Sequence, residues 1–276
     1  MKDLRIALTG ASGFIGTRLK KIIGQPVVIQ REDSLETIRA KLQGVDAVIN
    51  LAGAPIIKRW TSSYKQTLVS SRINTTRKLV EAMKGTTIRH FISTSATGIY
   101  PNDKECDESC PEVASDFLGK LAKQWEEEAL KCEKKTAILR LGVVLGKEGG
   151  ALKKMLLPFK LGLGGPIGDG SMIMSWIDIE DLVRIYSFIL DQGSSGIFNA
   201  VSPRPVTNRE FSKELGRILK RPTLFPVPRI VLRLLYGQAA SVLTASKIVY
   251  PSRLLNEGFR FLYPDISSCL SHIFST

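Results

Sequence analysis

The sequence predicts an α/β fold: a doubly wound parallel sheet of the Rossmann type with a smaller, mixed C-terminal lobe. Short apolar runs alternate with segments whose apolar residues recur at helical spacing. A turn with three glycines follows the first apolar run, and a glycine-rich stretch at 162–170 ends the regular alternation. We therefore predict a nucleotide-binding Rossmann domain from residues 1–150 and 175–200. Residues 151–174 and 201–276 are predicted to form the lobe.

The apolar runs are predicted to be strands, and the segments between them helices. Strands are expected at residues 4–8, 26–30, 47–51, 90–94, 136–141, 174–177 and 196–200. Helices are expected at residues 14–23, 34–42, 62–83, 116–132, 179–190, 208–219 and 229–243. Because ligands of such sheets bind at the carboxyl ends of the strands, the site is expected along that edge.

The last of these helices, 229–243, carries Ile230, Leu234, Leu235 and Val242 on one apolar face. A helix lying on a membrane surface is one interpretation of this pattern. Its short length and the glycine at position 237 favour instead a helix packed within the lobe.

Three polar residues are candidate helix caps. Thr207 or Asn208 is predicted to begin the helix at 208–219. Asp178 and Asp181 are three residues apart, a spacing that could suggest a pair of carboxylates for acid/base chemistry. We expect instead that Asp178 caps the helix after it and that both carboxylates are structural.

The glycine turn at residues 9–16 indicates a dinucleotide site. Gly10 permits a tight exit from the strand, Gly13 lets backbone N–H groups approach a phosphate, and Gly16 allows close packing of the helix. The N-terminus of that helix supplies free N–H donors and the positive end of its dipole. A glycine-rich surface loop is the alternative, but the position between strand and helix favours nucleotide binding.

Arg31 follows the second predicted strand, where an acidic residue usually contacts the ribose of NAD. A guanidinium at that position would pair with the 2′-phosphate of NADP. The sequence therefore favours NADP(H) as the cofactor, with a solvated loop arginine as the alternative.

Composition is that of a globular protein able to bury a large core: 276 residues, 43% hydrophobic, with mean hydropathy +0.04. No stretch reaches the about 20 apolar residues that span a bilayer, and charges at Lys2, Asp3 and Arg5 do not suit a signal peptide. We therefore expect no membrane span and cytoplasmic residence.

The net charge is +13, and residues 201–276 hold 11 Lys/Arg against 4 Asp/Glu. A basic lobe beside a nucleotide site would attract anions, so a small and possibly anionic substrate is expected. The chain lacks a basic run interleaved with aromatic residues, so no nucleic-acid partner is expected. An oligomer is compatible with the sequence.

The four cysteines, Cys106, Cys110, Cys132 and Cys269, lack paired CxxC spacing and histidine partners. We expect reduced thiols, without a disulfide framework and without a metal site.

Several motifs in order resemble one enzyme superfamily. These are residues 9–16, 50–53 (Asn-Leu-Ala-Gly), 93–96 (Ser-Thr-Ser-Ala) and 176–182 (Trp-Ile-Asp-Ile-Glu-Asp-Leu). Together they resemble the extended or atypical short-chain dehydrogenase/reductases of the nucleoside-sugar epimerase type. Arg59-Trp60, Ser71-Arg72, 141–146, 155–170 and 258–264 are similar to an epimerase-like subgroup with a small C-terminal domain of undefined function.

The resemblance implies a set of cofactor contacts. The pyrophosphate would be surrounded by Gly10, Gly13, Phe14, Ile15 and Gly16, and the 2′-phosphate would be contacted by Arg31. The adenosine side would lie against Leu51, Ala52 and Gly53. Arg72 would lie on the cofactor side, and Val143 would lie at the nicotinamide end. For Arg72 the alternative is an ion pair on the helix surface.

The resemblance also implies catalysis by a serine and a Tyr-x-x-x-Lys pair, with the phenol as proton donor or acceptor. Ser95 stands at the serine position, but the helix at 116–132 has no tyrosine. One register places Asp116 and Lys120 at the two positions; a register anchored on Glu126 places Leu118 and Ala122 there.

Three explanations for the missing phenol stay open. Tyr100 could supply it from another direction, a water or the substrate could relay the proton, or the protein could bind NADP(H) without turnover. An aromatic that caps the cleft, or packs under the glycine-rich loop, is the alternative for Tyr100. The first hypothesis is thus an NADP(H)-dependent oxidoreductase or epimerase-like enzyme for a small carbonyl or hydroxyl substrate, with Ser95 and Tyr100 as candidate catalytic residues. The second is a catalytically silent NADP(H)-binding sensor.

Overall fold

Six parallel strands form the central sheet of the computed structural model, which describes residues 4–275. The order is β10-β6-β4-β3-β1-β2, and every neighbouring pair is parallel. The described residues also form short strands outside this sheet. In chain order, the strands are β1 (Ile6–Thr9), β2 (Val27–Ile29), β3 (Ala47–Asn50), β4 (His90–Ala96), β5 (Glu105–Cys106), β6 (Lys135–Leu141), β7 (Val143–Leu145), β8 (Ile173–Met174), β9 (Trp176–Asp178), β10 (Gly196–Ala200), β11 (Val206–Thr207) and β12 (Ile248–Val249). The predicted α/β class with a doubly wound parallel sheet is confirmed.

Helices cover both faces of this sheet. They are α1 (Phe14–Ile23), α2 (Leu35–Lys41), α3 (Ser62–Val69), α4 (Thr75–Met83), α5 (Phe117–Ala129), α6 (Gly150–Lys160), α7 (Ile179–Gln192), α8 (Asn208–Leu219), α9 (Arg229–Tyr236), α10 (Ala240–Thr244), α11 (Ser252–Asn256) and α12 (Ile266–Ser275). Among residues 4–275, none of the helices is both long and apolar enough to cross a membrane.

Most residues of the central sheet are buried because successive side chains pack into two different cores. Ile6 and Leu8 pack with α7 residues in one core, whereas Ala7, between them, packs with residues of α2 and α4 in the other. A sheet buried on both faces requires continuous apolar runs, which is the pattern that the sequence shows.

The chain reverses direction across the sheet between β1 and β3. From β1 it crosses to β2 at one edge, then returns to pair β3 on the other side of β1. A crevice opens at such a switch point, beyond the carboxyl ends of the strands. The glycine turn after β1 and the segment after β3 both lie at this crevice.

The helix predicted at 62–83 is interrupted by a π-helical turn, Ser70–Asn74. This wider turn separates α3 from α4 and carries three buried residues, Ser71, Arg72 and Ile73. Such turns are frequent at functional sites because they redirect side chains.

The strand predicted at 174–177 is divided at Ser175 into β8 and β9. The Ser175 hydroxyl donates to the carbonyl oxygen of Lys247 at 2.8 Å, which binds this segment to the C-terminal part of the chain. β8 pairs with β11, β9 with β7, and β5 with β12, each as a separate two-stranded sheet. α6, α8 and α12 share a third core around Trp176 and Phe211.

The expectation that the helix at 229–243 packs its apolar face within the lobe is wrong for Ile230, Leu234 and Leu235. These side chains are 60%, 69% and 61% exposed, and Leu232 is the buried residue of α9. Gly237 adopts φ +58° and ends α9, so the segment is broken by a 3₁₀ turn before α10. The face that periodicity identifies as apolar therefore points to solvent.

The predicted caps are confirmed. Thr207 begins α8 with a capping box that includes Glu210. Asp178 caps α7 by accepting from the backbone N–H of Glu180 at 2.7 Å. Asp181 accepts from the backbone N–H groups of Leu262 and Tyr263, both at 2.9 Å, and so fixes the C-terminal segment against α7.

The expectation of four reduced thiols is wrong for one pair. Cys106 and Cys110 are joined as a disulfide, with Cα atoms 5.3 Å apart, while Cys132 and Cys269 are free. The spacing of four residues gave no sign of this, because it is the short loop after β5 that turns Cys110 back toward Cys106.

Candidate functional site

The glycine turn has the backbone shape that a pyrophosphate requires. Gly10 adopts φ +63°, and a Cβ there would lie 2.8 Å from the carbonyl oxygen of Leu51. At Gly16 a Cβ would lie 2.3 Å from the carbonyl oxygen of Gly10, so α1 sits directly on the turn. Neither position tolerates a side chain without displacing backbone.

The N-terminus of α1 is free to bind an anion. Gly13 is its N-cap and provides no side chain for capping, and the first turn of α1 has no acidic residue. Its first N–H groups thus keep their hydrogen-bonding capacity and the positive end of the helix dipole is not neutralised.

Phe14 points away from this anion site. Its ring lies against Gly146, Gly149 and Gly150, where added Cβ atoms would approach it to 2.6, 2.4 and 3.3 Å. Phe14 therefore anchors the connection from β7 to α6 under the turn. Ile15 is partly buried against the core on the same side of the sheet.

A hydrogen-bond network fixes the end of β3 beside the turn. The Thr9 hydroxyl donates to Asn50 Oδ1 at 2.7 Å and accepts from the backbone N–H groups of Leu51 and Ala52 at 3.0 and 3.1 Å. Asn50 in turn donates to Thr76 on α4 at 2.9 Å. This network holds the strand end from Leu51 to Gly53 as a rigid shelf at the crevice.

Arg72 is a buried cation at the same shelf. Its guanidinium donates to the carbonyl oxygens of Ala54 (3.0 Å) and Leu68 (3.3 Å), and it faces the Trp125 ring at 5.3 Å. Burial lowers the pKa of Arg72 to about 10. No carboxylate within residues 4–275 forms an ion pair with it, so the alternative of a helix-surface ion pair is wrong.

Gly53 lies against that guanidinium: a Cβ at Gly53 would approach Arg72 Cζ to 3.1 Å. A buried cation that pairs only with carbonyl oxygens retains charge for an anionic ligand. The shelf and Arg72 are thus brought together as the resemblance implies.

Arg31 lines a cleft of about 180 Å³ beside the carboxyl end of β2. Its side chain has no ion-pair partner within the described part of the chain. Lys78 on α4 lies in the same cleft and donates to the carbonyl oxygen of Asp33 at 2.9 Å. Lys78 was not among the residues predicted from the sequence. It lies four residues after Asn74, which also lines the cleft, and residues four apart lie on the same side of a helix, so this spacing could have indicated it.

Ser95 and Tyr100 belong to one buried network. The Ser95 hydroxyl donates to Glu126 at 2.6 Å, and Arg140 binds both oxygens of Glu126 at 2.9 and 2.7 Å. Arg140 also donates to the Tyr100 hydroxyl at 2.7 Å, which donates to Asn199 Oδ1 at 2.8 Å. All five side chains are buried.

Tyr100 neither caps the cleft nor packs under the glycine-rich loop. It is 1% exposed and packs in a small core with Ile99, Cys106 and Val249. Burial raises the pKa of its phenol above the ordinary value, although Arg140 opposes the shift. Its hydroxyl is oriented by Arg140 and Asn199 rather than toward open solvent.

Helix α5 carries no phenol and ammonium pair. Asp116 is its N-cap and accepts from the backbone N–H of Gly119 at 2.8 Å, and Lys120 is exposed. Leu118 lines the larger cleft and Ala122 is buried. In the register of Asp116 and Lys120, one residue is thus engaged as the helix cap and the other is exposed, and in the register anchored on Glu126 both positions hold apolar residues.

The larger cleft has a volume of about 550 Å³ and lies between the start of α5 and helices α9 and α10. Trp60 and Phe117 meet edge to face in its wall, with ring centroids 5.4 Å apart. Arg229 and Arg233, one turn apart on α9, line the opposite side. Sequence reasoning did not assign these two arginines to a site, although their i, i+4 spacing places them on one side of a helix.

Val143 is partly exposed and its backbone N–H donates to the carbonyl oxygen of Ser175 at 2.9 Å. It lies at the start of β7, directly beyond the carboxyl end of β6.

Known proteins share this architecture over the whole chain. Residues 6–200 match the NAD dependent epimerase/dehydratase family, and residues 227–273 match a domain of unknown function, DUF1731. The mouse protein named epimerase family protein SDR39U1 is 35% identical, with 98% of this chain and 99% of that protein covered. A chloroplastic SDR39U1 homolog from Arabidopsis thaliana is 34% identical, with 98% and 87% covered.

A crystal structure of human epimerase family protein SDR39U1 with NADPH superposes with a TM-score of 0.92. It is 32% identical in sequence, and the alignment covers 99% of both chains. The match extends through the glycine turn, the shelf and the C-terminal segment. The chain therefore belongs to the NAD dependent epimerase/dehydratase family and carries that family's core followed by the DUF1731 domain.

Proposed function

We propose that the protein binds NADP(H) in the crevice between β1 and β3 and is an oxidoreductase for a small carbonyl or hydroxyl substrate. The observation that carries the proposal is the conjunction of a side-chain-free turn at Gly10 and Gly16 with the unpaired cation Arg31. The NADPH in the human relative's structure supports it. When bound, NADP(H) supplies or accepts a hydride.

In this proposal, different residues contact different parts of the cofactor. Gly10, Gly13, Phe14, Ile15 and Gly16 form the pyrophosphate turn, with Phe14 acting from beneath it. Arg31 and Lys78 pair with the 2′-phosphate, as two cations at the mouth of one cleft would. Leu51, Ala52 and Gly53 support the adenosine side, Arg72 contributes positive charge, and Val143 borders the nicotinamide end.

The substrate is proposed to occupy the larger cleft. Trp60 and Phe117 offer apolar surface, while Arg229 and Arg233 hold an anionic group at the opposite wall. The single carboxylate that lines the cleft, Asp116, is engaged as the cap of α5.

The proton route in this proposal is the buried network rather than a tyrosine on α5. In this proposal the Ser95 hydroxyl, which donates a hydrogen bond to Glu126, accepts a hydrogen bond from a substrate hydroxyl through its remaining lone pairs. When that hydroxyl is oxidised, its proton passes to Ser95 Oγ as the serine proton moves to Glu126; reduction reverses both transfers. Tyr100 holds Arg140 against Glu126 and acts only through that contact.

The experiment is direct: NADPH is bound to the protein and carbonyl substrates are screened by the absorbance of the reduced nicotinamide. Loss of turnover in Ser95→Ala with unchanged NADPH affinity would support the route. Tyr100→Phe keeps the aromatic ring and tests the contact to Arg140.

The silent NADP(H)-binding sensor is the second candidate, and one observation favours it. Helix α5 has no tyrosine in either register, so the about 100- to 10,000-fold gain from a positioned acid/base group must come from elsewhere. Tight NADPH binding without oxidation across a broad substrate panel would establish this alternative. Cytoplasmic residence stays a prediction.

A further inference from the structure

Several large apolar side chains are exposed on α9 and on the two segments beside it. Six side chains on three neighbouring segments are each 60% to 78% exposed. We define this apolar surface by Leu161, Leu224, Phe225, Ile230, Leu234 and Leu235. Water-facing apolar residues in such number on one region mark an interaction site.

Two hydrogen bonds join the first two segments, one from an arginine side chain to a carbonyl oxygen and one between backbone groups. Arg221 donates to the carbonyl oxygen of Lys160 at 2.8 Å, which places the end of α6 beside the segment that precedes α9. Farther along, the backbone N–H of Val227 donates to the carbonyl oxygen of Pro166 at 2.7 Å. Residues 160–168 and 221–228 therefore run side by side, and α9 continues directly from them.

Helix α9 has two different sides. Ile230 and Leu234 lie one turn apart, as do Val231 and Leu235, so these four exposed side chains form one stripe. Leu232 is buried beneath the helix. The helix thus lies flat on the protein with its apolar stripe outward.

The charges around this apolar surface are almost all positive. Residues 150–172 and 218–240 contain seven Lys/Arg and one acidic residue, Asp169. That carboxylate lies 3.4 Å from Arg229. The remaining cations include Lys153, Lys154, Lys160 and Lys220, none of which has an ion-pair partner among residues 4–275.

We propose that the apolar surface binds the headgroup region of an anionic lipid bilayer. Exposed leucine, isoleucine and phenylalanine side chains can enter the acyl boundary while the surrounding lysines pair with anionic headgroups. A second copy of the chain is disfavoured as the occupant, because its identical cations would face these ones. The protein lies on the membrane in this arrangement and does not span it.

The test is co-sedimentation with vesicles, using the full chain. Vesicles of phosphatidylcholine alone are compared with vesicles that also contain phosphatidylglycerol. We expect binding to the anionic vesicles only, weakened by salt. Leu234→Glu combined with Leu235→Glu is expected to reduce the affinity by about tenfold or more, since two charges replace inserting side chains.

Leu130→Glu is the matched control, because Leu130 is a half-exposed leucine at the end of α5 that does not belong to the apolar surface. It is expected to bind as the unchanged protein does. Lys160→Glu with Lys220→Glu tests the charge contribution and is expected to weaken binding without removing any apolar side chain. Circular dichroism and NADPH affinity show that each variant folds.

Three results would overturn the proposal. They are an absence of binding to anionic vesicles, equal binding to neutral and anionic vesicles, and self-association in light scattering that the Leu234→Glu and Leu235→Glu changes abolish. Vesicle binding requires neither cofactor nor turnover, so its outcome is separate from that of the oxidoreductase proposal.

Discussion

The hydroxyl of Ser95 lies 2.6 Å from Glu126 Oε1, and this contact orients the serine oxygen. A hydroxyl that donates to a carboxylate has only lone pairs left to offer. In the reaction we propose, the Ser95 oxygen would therefore accept a hydrogen bond from a substrate hydroxyl and would not donate one to a carbonyl.

Breaking the pair of Glu126 and Arg140 is predicted to destabilise the fold strongly. Both side chains are under one tenth exposed. Glu126→Gln leaves the Arg140 charge buried without a counter-ion, which should cost about 3–5 kcal/mol. Urea unfolding of Glu126→Gln and of the double change with Arg140→Met measures this. The double variant should be the more stable of the two; the reverse order would show that Arg140 is not held by this carboxylate.

The turn at Gly10 offers a test with a matched glycine. Gly85 has φ +70° and Gly10 has φ +63°, but a Cβ at Gly85 would meet nothing within 4 Å. Gly85→Ala should cost about 1 kcal/mol for the backbone conformation alone. Gly10→Ala adds the contact with Leu51 and should cost more in thermal unfolding, and it should also weaken NADPH binding. Equal losses in the two variants would contradict the close packing of the turn on β3.

Cofactor choice is predicted to depend on Arg31. Loss of a charge-assisted contact to the 2′-phosphate should weaken NADPH by about tenfold or more and leave NADH nearly unchanged. Isothermal titration of Arg31→Ala with each cofactor measures the difference, and Lys78→Ala is expected to act in the same direction. Arg39→Ala is the charge-matched control, since Arg39 pairs with Glu81 on the surface. A parallel loss for both cofactors would refute the 2′-phosphate assignment.

Asp178 is predicted to make stability fall as the pH rises through weakly acidic values. Burial raises the pKa of Asp178 from 3.8 to about 6 in the folded protein, against hydrogen bonds from Glu180 and Cys269 that lower it. Between these two values the folded chain holds a proton that the unfolded chain releases. The free energy of unfolding therefore falls as the pH rises from 3.8 to about 6. Above about pH 6, Asp178 is charged in both states and its contribution no longer changes with pH.

Asp178→Asn removes this titration while keeping an oxygen that can cap α7. Its free energy of unfolding, relative to that of the unchanged protein, should increase across that interval of pH. A constant difference between the two proteins would contradict the raised pKa.

The sheet and the cofactor edge were predictable because they depend on short-range patterns. A fully buried strand requires a continuous apolar run, and the turn at Gly10 requires glycine for its φ angle. Asp178 and Thr207 were predictable for the same reason, since a cap acts within three residues.

The rest depends on contacts between distant segments, which periodicity does not encode. The pairing of Arg140 with Tyr100 joins residues 40 positions apart, and Lys78 on α4 lines the same cleft as Arg31, which lies in the turn after β2. The apolar face of α9 was visible in the sequence, but its orientation was not. Periodicity identifies a face and leaves open whether protein or solvent meets it.

Helix α9 separates the larger cleft from the solvent around the molecule. Arg229 and Arg233 on one side border the larger cleft, and Ile230 and Leu234 on the other border the surroundings of the molecule. Helix α9 is only eight residues long, so the two proposed ligands, a substrate at the arginines and a bilayer at the apolar side chains, would contact the same short helix. Any coupling between these two proposed sites would be reciprocal: the change in affinity that a substrate causes for the bilayer would equal the change that the bilayer causes for the substrate.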